Sequence, residues 1–251
     1  DALARSPHRG AIKRGSTAID RNERGPMSEP GSRKRRILDA AELLFAEHGY
    51  DGVTLRKIAT LADVDVALTN YHFGSKEGLF RSVFERRAIM LNAARMEALD
   101  ACLAAAGDAG PTLEAVIDAY LRPLGTIQSS ADDGWRHYLS LVAWVNSSTE
   151  WGNELMNAYF NPFVQRFIEA LRAALPDASE SALHWGYQFM SGALTLTFAD
   201  TRRMDHLSGG TASSGDAAVG YAHMIPFIAA GFERICGAEP AVKSDQQCGD
   251  Q

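Results

Sequence analysis

The chain has 251 residues, of which 46% are hydrophobic and 22% charged, and its formal net charge is −6. This composition is typical of a soluble globular protein, and no apolar run approaches the ~20 residues that a membrane-spanning helix needs. Cys102, Cys236 and Cys248 are too few and too widely spaced for a disulfide framework or a cysteine metal site. We therefore expect a cytoplasmic protein that has no membrane partner and needs no metal or other cofactor.

Charge is distributed unevenly along the sequence. Residues 1–87 carry 16 Lys and Arg against 12 Asp and Glu, a net of +4, whereas residues 88–251 carry a net of −10. A basic head on an acidic body is typical of a nucleic-acid-binding protein, with chance unevenness as the alternative.

The two ends of the chain are predicted to lie outside the folded part. Residues 1–32 are rich in Arg, Gly, Ser and Pro and lack hydrophobic periodicity, which predicts a disordered arm. Met27 is a plausible natural start, and the residues before it would then be an upstream extension or an artefact. Residues 239–251 are polar and predict a flexible tail. Between them we place a first domain at residues 33–80 and a second at residues 81–238.

The folded part is predicted to be all-α, because apolar residues recur at spacings of three and four without convincing strand alternation. In the first domain, Gly49 is expected to end the first helix, and Thr54 and Ser75 to cap the second and the fourth. The later helices are predicted at residues 76–106, 112–128, 135–147, 150–174, 180–203 and 216–237. Prolines inside these segments would kink or split them, at Pro123, Pro162 and Pro226.

Two short predicted helices, at residues 54–62 and 65–73, are joined by a very short turn. This is the arrangement of a helix-turn-helix, whose second helix enters the major groove of DNA. The turn needs a residue that tolerates the left-handed conformation, which Asp63 can adopt, and Asp65 is the natural cap of the second helix.

Basic residues lie at three predicted helix starts, namely residues 33–36, Arg56 with Lys57, and Lys76. A cation opposes the helix dipole there, at a cost of ~0.3–1 kcal/mol. The arrangement becomes favourable if a phosphate sits at each helix start, because backbone N–H groups and basic side chains then bind it together. Solvated surface charge is the alternative.

These patterns coincide in a segment that resembles the DNA-binding domain of the TetR (tetracycline-repressor-like) family of bacterial regulators. The resemblance rests on Ile37-Leu38-Asp39-Ala40-Ala41, Leu44-Phe45, Gly49-Tyr50, Thr54-Leu55-Arg56-Lys57-Ile58-Ala59, Val64 and Asn70-Tyr71-His72-Phe73-Gly74-Ser75-Lys76-Glu77. It implies an N-terminal helix-turn-helix domain followed by a larger helical domain that binds a ligand and dimerises.

The resemblance also implies roles for individual residues. Phosphate contacts are expected from both helices of the motif and from the flanking arginines, namely Thr54, Arg56, Tyr71, His72, Lys76, Arg33 and Arg36. The groove-facing set would be Val66, Ala67, Leu68, Asn70 and Tyr71, and Asp65, which caps the same helix, is the remaining candidate DNA-binding residue. Asn70 suits adenine, and the apolar side chains suit a thymine methyl group, although Leu68 is equally suited to the core.

The sequence departs from the family pattern at three points. Asp63 stands where the family usually has glycine, and Asp65 where a neutral capping residue is common. The second helix of the motif also contains no Arg or Lys, so specificity would rest on Asn70, apolar contacts and DNA shape. Affinity would then depend heavily on residues 33–36.

The second domain is rich in aromatic side chains, because 16 of the 22 in the chain, including all four tryptophans, lie after residue 87. Such a domain either packs solidly or encloses an apolar pocket, and the resemblance favours a pocket for a small apolar, aromatic or acyl effector. The candidate ligand contacts are Trp135, His137, Tyr138, Trp144, Trp151, Tyr159, Phe163, Phe167 and Gln188, with Arg136 and Asn146 as further polar candidates.

The last two predicted helices are expected to form a homodimer interface. Small residues, including Gly186 and Gly192, lie along the first, and Ala222, Ile225, Ile228, Ala229 and Phe232 form an apolar stripe on the second. Packing across a two-fold axis as a four-helix bundle is predicted, with packing inside one protomer as the alternative. Two symmetric heads would match a palindromic double-stranded DNA operator.

The sequence therefore predicts a dimeric transcriptional regulator, most simply a repressor that an effector releases from its operator. The alternative is a ligand-independent DNA-binding dimer or adaptor whose second domain only dimerises. An enzyme is not expected, because the chain has no nucleophile elbow, no glycine-rich phosphate loop and no H-E-x-x-H motif.

Overall fold

A computed structural model describes residues 30–128, 134–147, 152–198 and 202–237. Every regular element in these ranges is helical, which confirms the all-α prediction. The helices are α1 (Pro30–His48), α2 (Leu55–Leu61), α3 (Val66–Phe73), α4 (Lys76–Ala106), α5 (Leu113–Gln128), α6 (Gly134–Asn146), α7 (Gly152–Ala174), α8 (Glu180–Phe198), α9 (Arg203–Leu207) and α10 (Ala217–Cys236). None of these described helices has the length and apolarity to cross a membrane. The predicted tail and nearly all of the predicted arm lie outside the described residues.

Helix α1 begins at Pro30, earlier than the sequence suggested. Arg33 is therefore the fourth residue of the helix and residues 34–36 lie beyond its first turn, so the prediction that their charges oppose the dipole at a helix start is wrong for residues 34–36. The end of α1 is as predicted. Gly49 has φ +68°, and its N–H donates to the carbonyl of Phe45 at 3.0 Å. A residue without Cβ adopts this left-handed conformation at no steric cost.

Side-chain caps start the other helices of the first domain where the sequence placed them. The hydroxyl of Thr54 accepts from the N–H of Lys57 at 3.3 Å, and that of Ser75 from the N–H of Gly78 at 3.0 Å. Each cap satisfies an N–H that has no partner within the helix.

Helix α4 connects the two domains. Its buried stripe starts against the first domain with Leu79, Phe80 and Val83, and ends deep in the second with Leu91 and Leu99. It packs on α1, α3, α5, α6 and α7. A displacement of α4 at either end would therefore alter the packing of both domains.

Two features of the second domain differ from prediction. The helix predicted at residues 180–203 is described as α8, ending at Phe198, and a separate α9, while residues 199–201 lie outside the described ranges. The three prolines each lie inside one helix, at Pro123, Pro162 and Pro226, so they do not split α5, α7 or α10. A proline removes one intrahelical hydrogen bond, and tertiary packing of the remaining turns retains each helix.

Gly186 lets α8 approach α10 closely. A Cβ at this position would lie 2.2 Å from the buried ring of Phe232. We therefore expect Gly186→Ala to lower the free energy of unfolding by about 1–3 kcal/mol, since packed cores accommodate extra atoms poorly. Urea unfolding measures the loss. Phe232→Leu should recover part of it in the double variant, and strictly additive effects would contradict a clash between these two residues.

Candidate DNA interface and internal cavity

The turn between α2 and α3 has the geometry of a helix-turn-helix. Asp63 adopts φ +52°, as predicted, and the N–H of the following Val64 donates to the carbonyl of Ala59 at 3.0 Å. The carboxylate of Asp65 accepts from the N–H of Ala67 at 2.7 Å and caps α3. Arg36 of α1 braces the turn, because its guanidinium donates to the carbonyl of Asp63 at 3.4 Å and lies 3.6 Å from its carboxylate.

Helix α3 presents three of its predicted groove-facing or backbone-contacting residues to solvent. Ala67 and Asn70 are exposed, and Tyr71 is 83% exposed. Val66, Leu68 and His72 are half-buried, and Leu68 also packs against the core. Thr69, which was not among the candidate residues, is fully buried on the core side of α3.

The basic side chains near α2 and α4 divide into two kinds. The ammonium of Lys57 donates to the carbonyl of Gly52 at 3.0 Å, and that of Lys76 to the carbonyls of Tyr50 and Val53 at 3.0 and 3.2 Å. The side chain of Arg56 is exposed and makes no hydrogen bond or ion pair with any described residue. The ammonium groups of Lys57 and Lys76 thus donate to loop carbonyls, whereas the sequence predicted a phosphate as their negative partner.

Lys76 also lies 4.1 Å above the ring of Tyr50. Its two carbonyl bonds and this cation–π contact tie the loop that precedes α2 to the start of α4. The geometry therefore indicates that Lys76 positions the head, while its predicted phosphate contact would require these bonds to be given up.

An aromatic cluster joins the head to the body. The ring of Trp144 on α6 lies 6.5 Å from that of Tyr50 and 5.9 Å from that of Phe80, and Phe45 completes the cluster at 5.0 Å from Phe80. Helix α6 also packs along α1. Trp144, predicted to contact a ligand, thus belongs to the joint between the domains.

A buried ionic cluster lies beside this joint. Glu42 of α1 is 2% exposed and accepts from Arg87 at 3.0 and 2.9 Å and from Arg86 at 2.8 Å. Arg86 also donates to Asp39 at 2.6 Å, and the guanidinium of Arg87 lies 4.7 Å from the ring of Trp135. The cluster therefore connects α1, α4 and α6 through charges that are largely removed from water.

The body encloses a small cavity of about 30 Å³ among α4, α5, α6, α7 and α8. Its apolar wall consists of Leu91, Leu124, Leu139, Val142, Met156 and Leu194. Its aromatic residues are Tyr120, Phe160 and Tyr187, and its polar ones are Arg95, Asn146, Ser191 and Thr195. A wider groove of about 310 Å³ lies open between α5 and α10, beside Arg122 and Tyr221.

Among the candidate ligand contacts that the structure describes, only Asn146 lines this cavity. Trp135 and Tyr138 are buried near α4, with Tyr138 5.5 Å from the ring of Phe84, and Tyr159 lies 6.0 Å from the same ring. Phe163 and Phe167 pack behind Tyr120, at 5.3 and 4.7 Å between ring centroids. His137 is half-buried, Gln188 is exposed, and Trp151 lies outside the described residues. Large rings fill cores as readily as they line pockets. A prediction based on aromatic content therefore identified core residues and not the residues of the cavity wall.

Sequence reasoning missed the residues that do face the cavity, above all Arg95, although Asn146 was among its polar candidates. A signal was present, because Arg95 is four residues after Leu91 and four before Leu99, on the buried stripe of α4. An arginine on an apolar helical stripe indicates a buried charge that needs a specific partner.

Comparison with known proteins identifies both domains. Residues 37–83 match the family described as "Bacterial regulatory proteins, tetR family", and residues 118–231 match "Tetracyclin repressor-like, C-terminal domain". A putative transcriptional regulator from Pseudomonas aeruginosa PAO1 has a similar fold, with a TM-score of 0.56 and 16% sequence identity over 83% of this chain and 95% of that one.

Curated relatives resemble the head alone. The HTH-type transcriptional repressor AcnR of Corynebacterium glutamicum is 38% identical over 52 residues, 21% of this chain and 28% of that protein. The biofilm operon icaADBC negative regulator IcaR of Staphylococcus aureus (strain Newman) is 45% identical over 47 residues, 19% of this chain and 25% of that protein. The chain thus spans under a third of these relatives. The two matched families nevertheless cover more than half of it. The helix-turn-helix, the helical body and both family matches agree that this chain belongs to the tetR family of DNA-binding regulatory proteins.

Proposed function

We propose that this protein is a cytoplasmic, homodimeric repressor that binds a palindromic operator and leaves it when a small effector binds the body. The observation that carries the proposal is the exposed face of α3. The side chains of Asn70 and Tyr71 lie there without hydrogen bonds to described residues, on a helix whose opposite side is anchored in the core. Side chains that read bases must be presented in this way.

The DNA contacts follow from exposure and chemistry. The amide of Asn70 matches the donor and acceptor that adenine presents in the major groove, and Ala67 is small enough to meet a thymine methyl group. Arg56 and the hydroxyl of Tyr71 are exposed beside them and suit phosphates. Val66 and His72, both half-buried, and Arg33, Arg36 and Thr54 complete the proposed interface at its edges.

The proposed dimer face differs from the one predicted. Ile228, Ala229 and Phe232 of α10 are buried within the protomer. The exposed apolar side chains lie on other sides of the same two helices, at Trp185, Phe189 and Leu196 on α8 and at Val219 and Phe227 on α10. Exposed apolar side chains on two neighbouring helices favour burial against an identical copy.

Coupling between effector and operator would pass along α4. Leu91 and Arg95 face the cavity, whereas Lys76, at the start of the same helix, is bonded to the loop that precedes α2. An effector that favours one position of α4 would therefore change the spacing of the two heads. By reciprocity, operator DNA would weaken effector binding by the same factor.

Selection from a random double-stranded DNA pool tests the function. Wild type should enrich a two-fold symmetric sequence with half-sites about one helical turn apart. Asn70→Ala should lose about 1–3 kcal/mol of discrimination at one base position per half-site. Arg56→Ala should weaken all sequences alike and flatten the salt dependence by about one unit per site. Failure to enrich any sequence, or identical effects of the two variants, would defeat the assignment.

The ligand-independent alternative is favoured by one observation, the small volume of the cavity. At about 30 Å³ it accommodates roughly two waters before any side chain moves. The two functions differ in a thermal-shift screen, because an effector must raise the unfolding temperature by mass action and must also weaken operator binding.

A further inference from the structure

One arginine in the body is buried without an acidic partner. Arg95 is 3% exposed, and its Nε donates to the carbonyl of Tyr120 at 3.2 Å. Among the described residues no carboxylate lies within ion-pair distance, and its two terminal nitrogens donate no hydrogen bond. The other buried arginine, Arg87, is by contrast fully engaged with Glu42.

The surroundings of Arg95 only partly compensate its charge. Its guanidinium carbon lies 4.0 Å from the ring centroid of Tyr120 and 5.6 Å from that of Phe163. These cation–π contacts are weaker than an ion pair, and arginine retains its charge inside proteins. A buried, unpaired guanidinium is costly unless an anion reaches it.

The cavity gives a ligand access to this group. Arg95 lies on its wall, and Asn146, an exposed residue, lies on the wall as well, so the cavity reaches the surface there. The phenol of Tyr187 on this wall is neutral at physiological pH and can donate a hydrogen bond. Burial raises its pKa further, with a contribution from the neighbouring Tyr120. The remaining wall is mainly apolar.

The volume of the cavity and the charge on its wall indicate which kind of anion would fit. Arg95 is the sole cation on the wall as described, so a monoanion is matched and a polyanion is not. The planar fork of a guanidinium fits a carboxylate through two parallel hydrogen bonds. A volume of about 30 Å³ holds a carboxylate group, and an attached apolar tail would displace flexible side chains such as Met156.

We propose that Arg95 is the anion-binding residue of the cavity and that its ligand is a small monocarboxylate with an apolar tail. This inference rests on the proposed function, since it takes the ligand of the cavity to be the effector. Carboxylate binding would supply the missing partner of Arg95 and draw α4 towards the ligand. The site thereby gives an anionic group control over the helix that reaches the head.

The experiment compares matched probes on the full chain. Butyrate, octanoate and benzoate are titrated by calorimetry and thermal shift beside butanol, octanol and benzyl alcohol. At least one carboxylate should bind wild type at least tenfold more tightly than its alcohol. Arg95→Met should remove this preference and unfold at the same temperature as wild type or higher, because an unpaired buried charge is gone. Arg95→Lys, which keeps the charge but not the fork, should bind with intermediate affinity.

Arg166→Met is the matched control, because Arg166 is a more exposed arginine that donates to Asp100 at 2.7 Å. It should leave the carboxylate preference unchanged. The inference is overturned if no carboxylate binds, if carboxylates and alcohols bind alike, or if Arg95→Met retains the preference. Operator binding separates the two proposals. Ligand-free protein that selects no DNA sequence refutes the proposed function, whereas Arg95-dependent carboxylate binding that leaves operator affinity unchanged supports the anion site and refutes only its effector role.

Discussion

Replacing Glu42 by alanine is expected to lower the free energy of unfolding by about 3–5 kcal/mol, because it leaves the buried guanidinium of Arg87 without its counter-charge and leaves Arg86 with Asp39 alone. Both carboxylate oxygens of Glu42 accept hydrogen bonds within 3.0 Å, two from Arg87 and one from Arg86. Arg87 is itself buried, so water cannot replace the lost carboxylate. Urea unfolding at fixed protein concentration measures the change.

Glu47 provides the control on the same helix. It is exposed, and its one ion pair, with His48 at 3.8 Å, is on the surface. Glu47→Ala should therefore change the free energy of unfolding by less than about 0.5 kcal/mol. Equal losses for the two variants would mean that the ionic cluster contributes no more than a surface pair.

The second large effect is expected at the proposed dimer face. Phe227 is 73% exposed in the protomer, so Phe227→Glu should leave the fold intact. In a two-fold dimer the change places two carboxylates in one apolar contact, at a cost of several kcal/mol. Operator affinity should then fall at least about 100-fold, since each 1.4 kcal/mol is tenfold. Sedimentation and DNA titration measure the two consequences.

Ile89 on α4 is a matched control, because it is also a large exposed apolar residue but lies outside α8 and α10. Ile89→Glu should preserve both the dimer and operator binding. A Phe227→Glu variant that stays dimeric and binds DNA normally would place the interface elsewhere.

Local rules predicted most of the head. Gly49, Asp63 and Thr54 each adopt the conformation or cap that their own chemistry favours. Such features depend on a few neighbouring residues, so they can be inferred without knowing the tertiary fold. The spacing of apolar residues likewise located α2, α3 and α4 to within about one residue.

The partners of long side chains could not be inferred in the same way. The sequence assigned Lys76 to DNA, yet its contact is with the loop before α2. It assigned Trp144 to a ligand, yet this ring belongs to the aromatic cluster of the head. The sequence did not identify Arg95, because what distinguishes this residue is that no carboxylate lies near it among the described residues. These outcomes depend on how helices distant in sequence pack together, which periodicity does not determine.

The central claim is that two symmetric heads read one palindrome as a unit. The most direct measurement is the affinity of the wild-type dimer for its selected operator before and after five base pairs are inserted between the half-sites. Such an insertion turns the half-sites to opposite faces of the duplex. Affinity is expected to fall to the level of a single half-site. Unchanged affinity would show that the heads bind independently and would contradict paired reading of the palindrome.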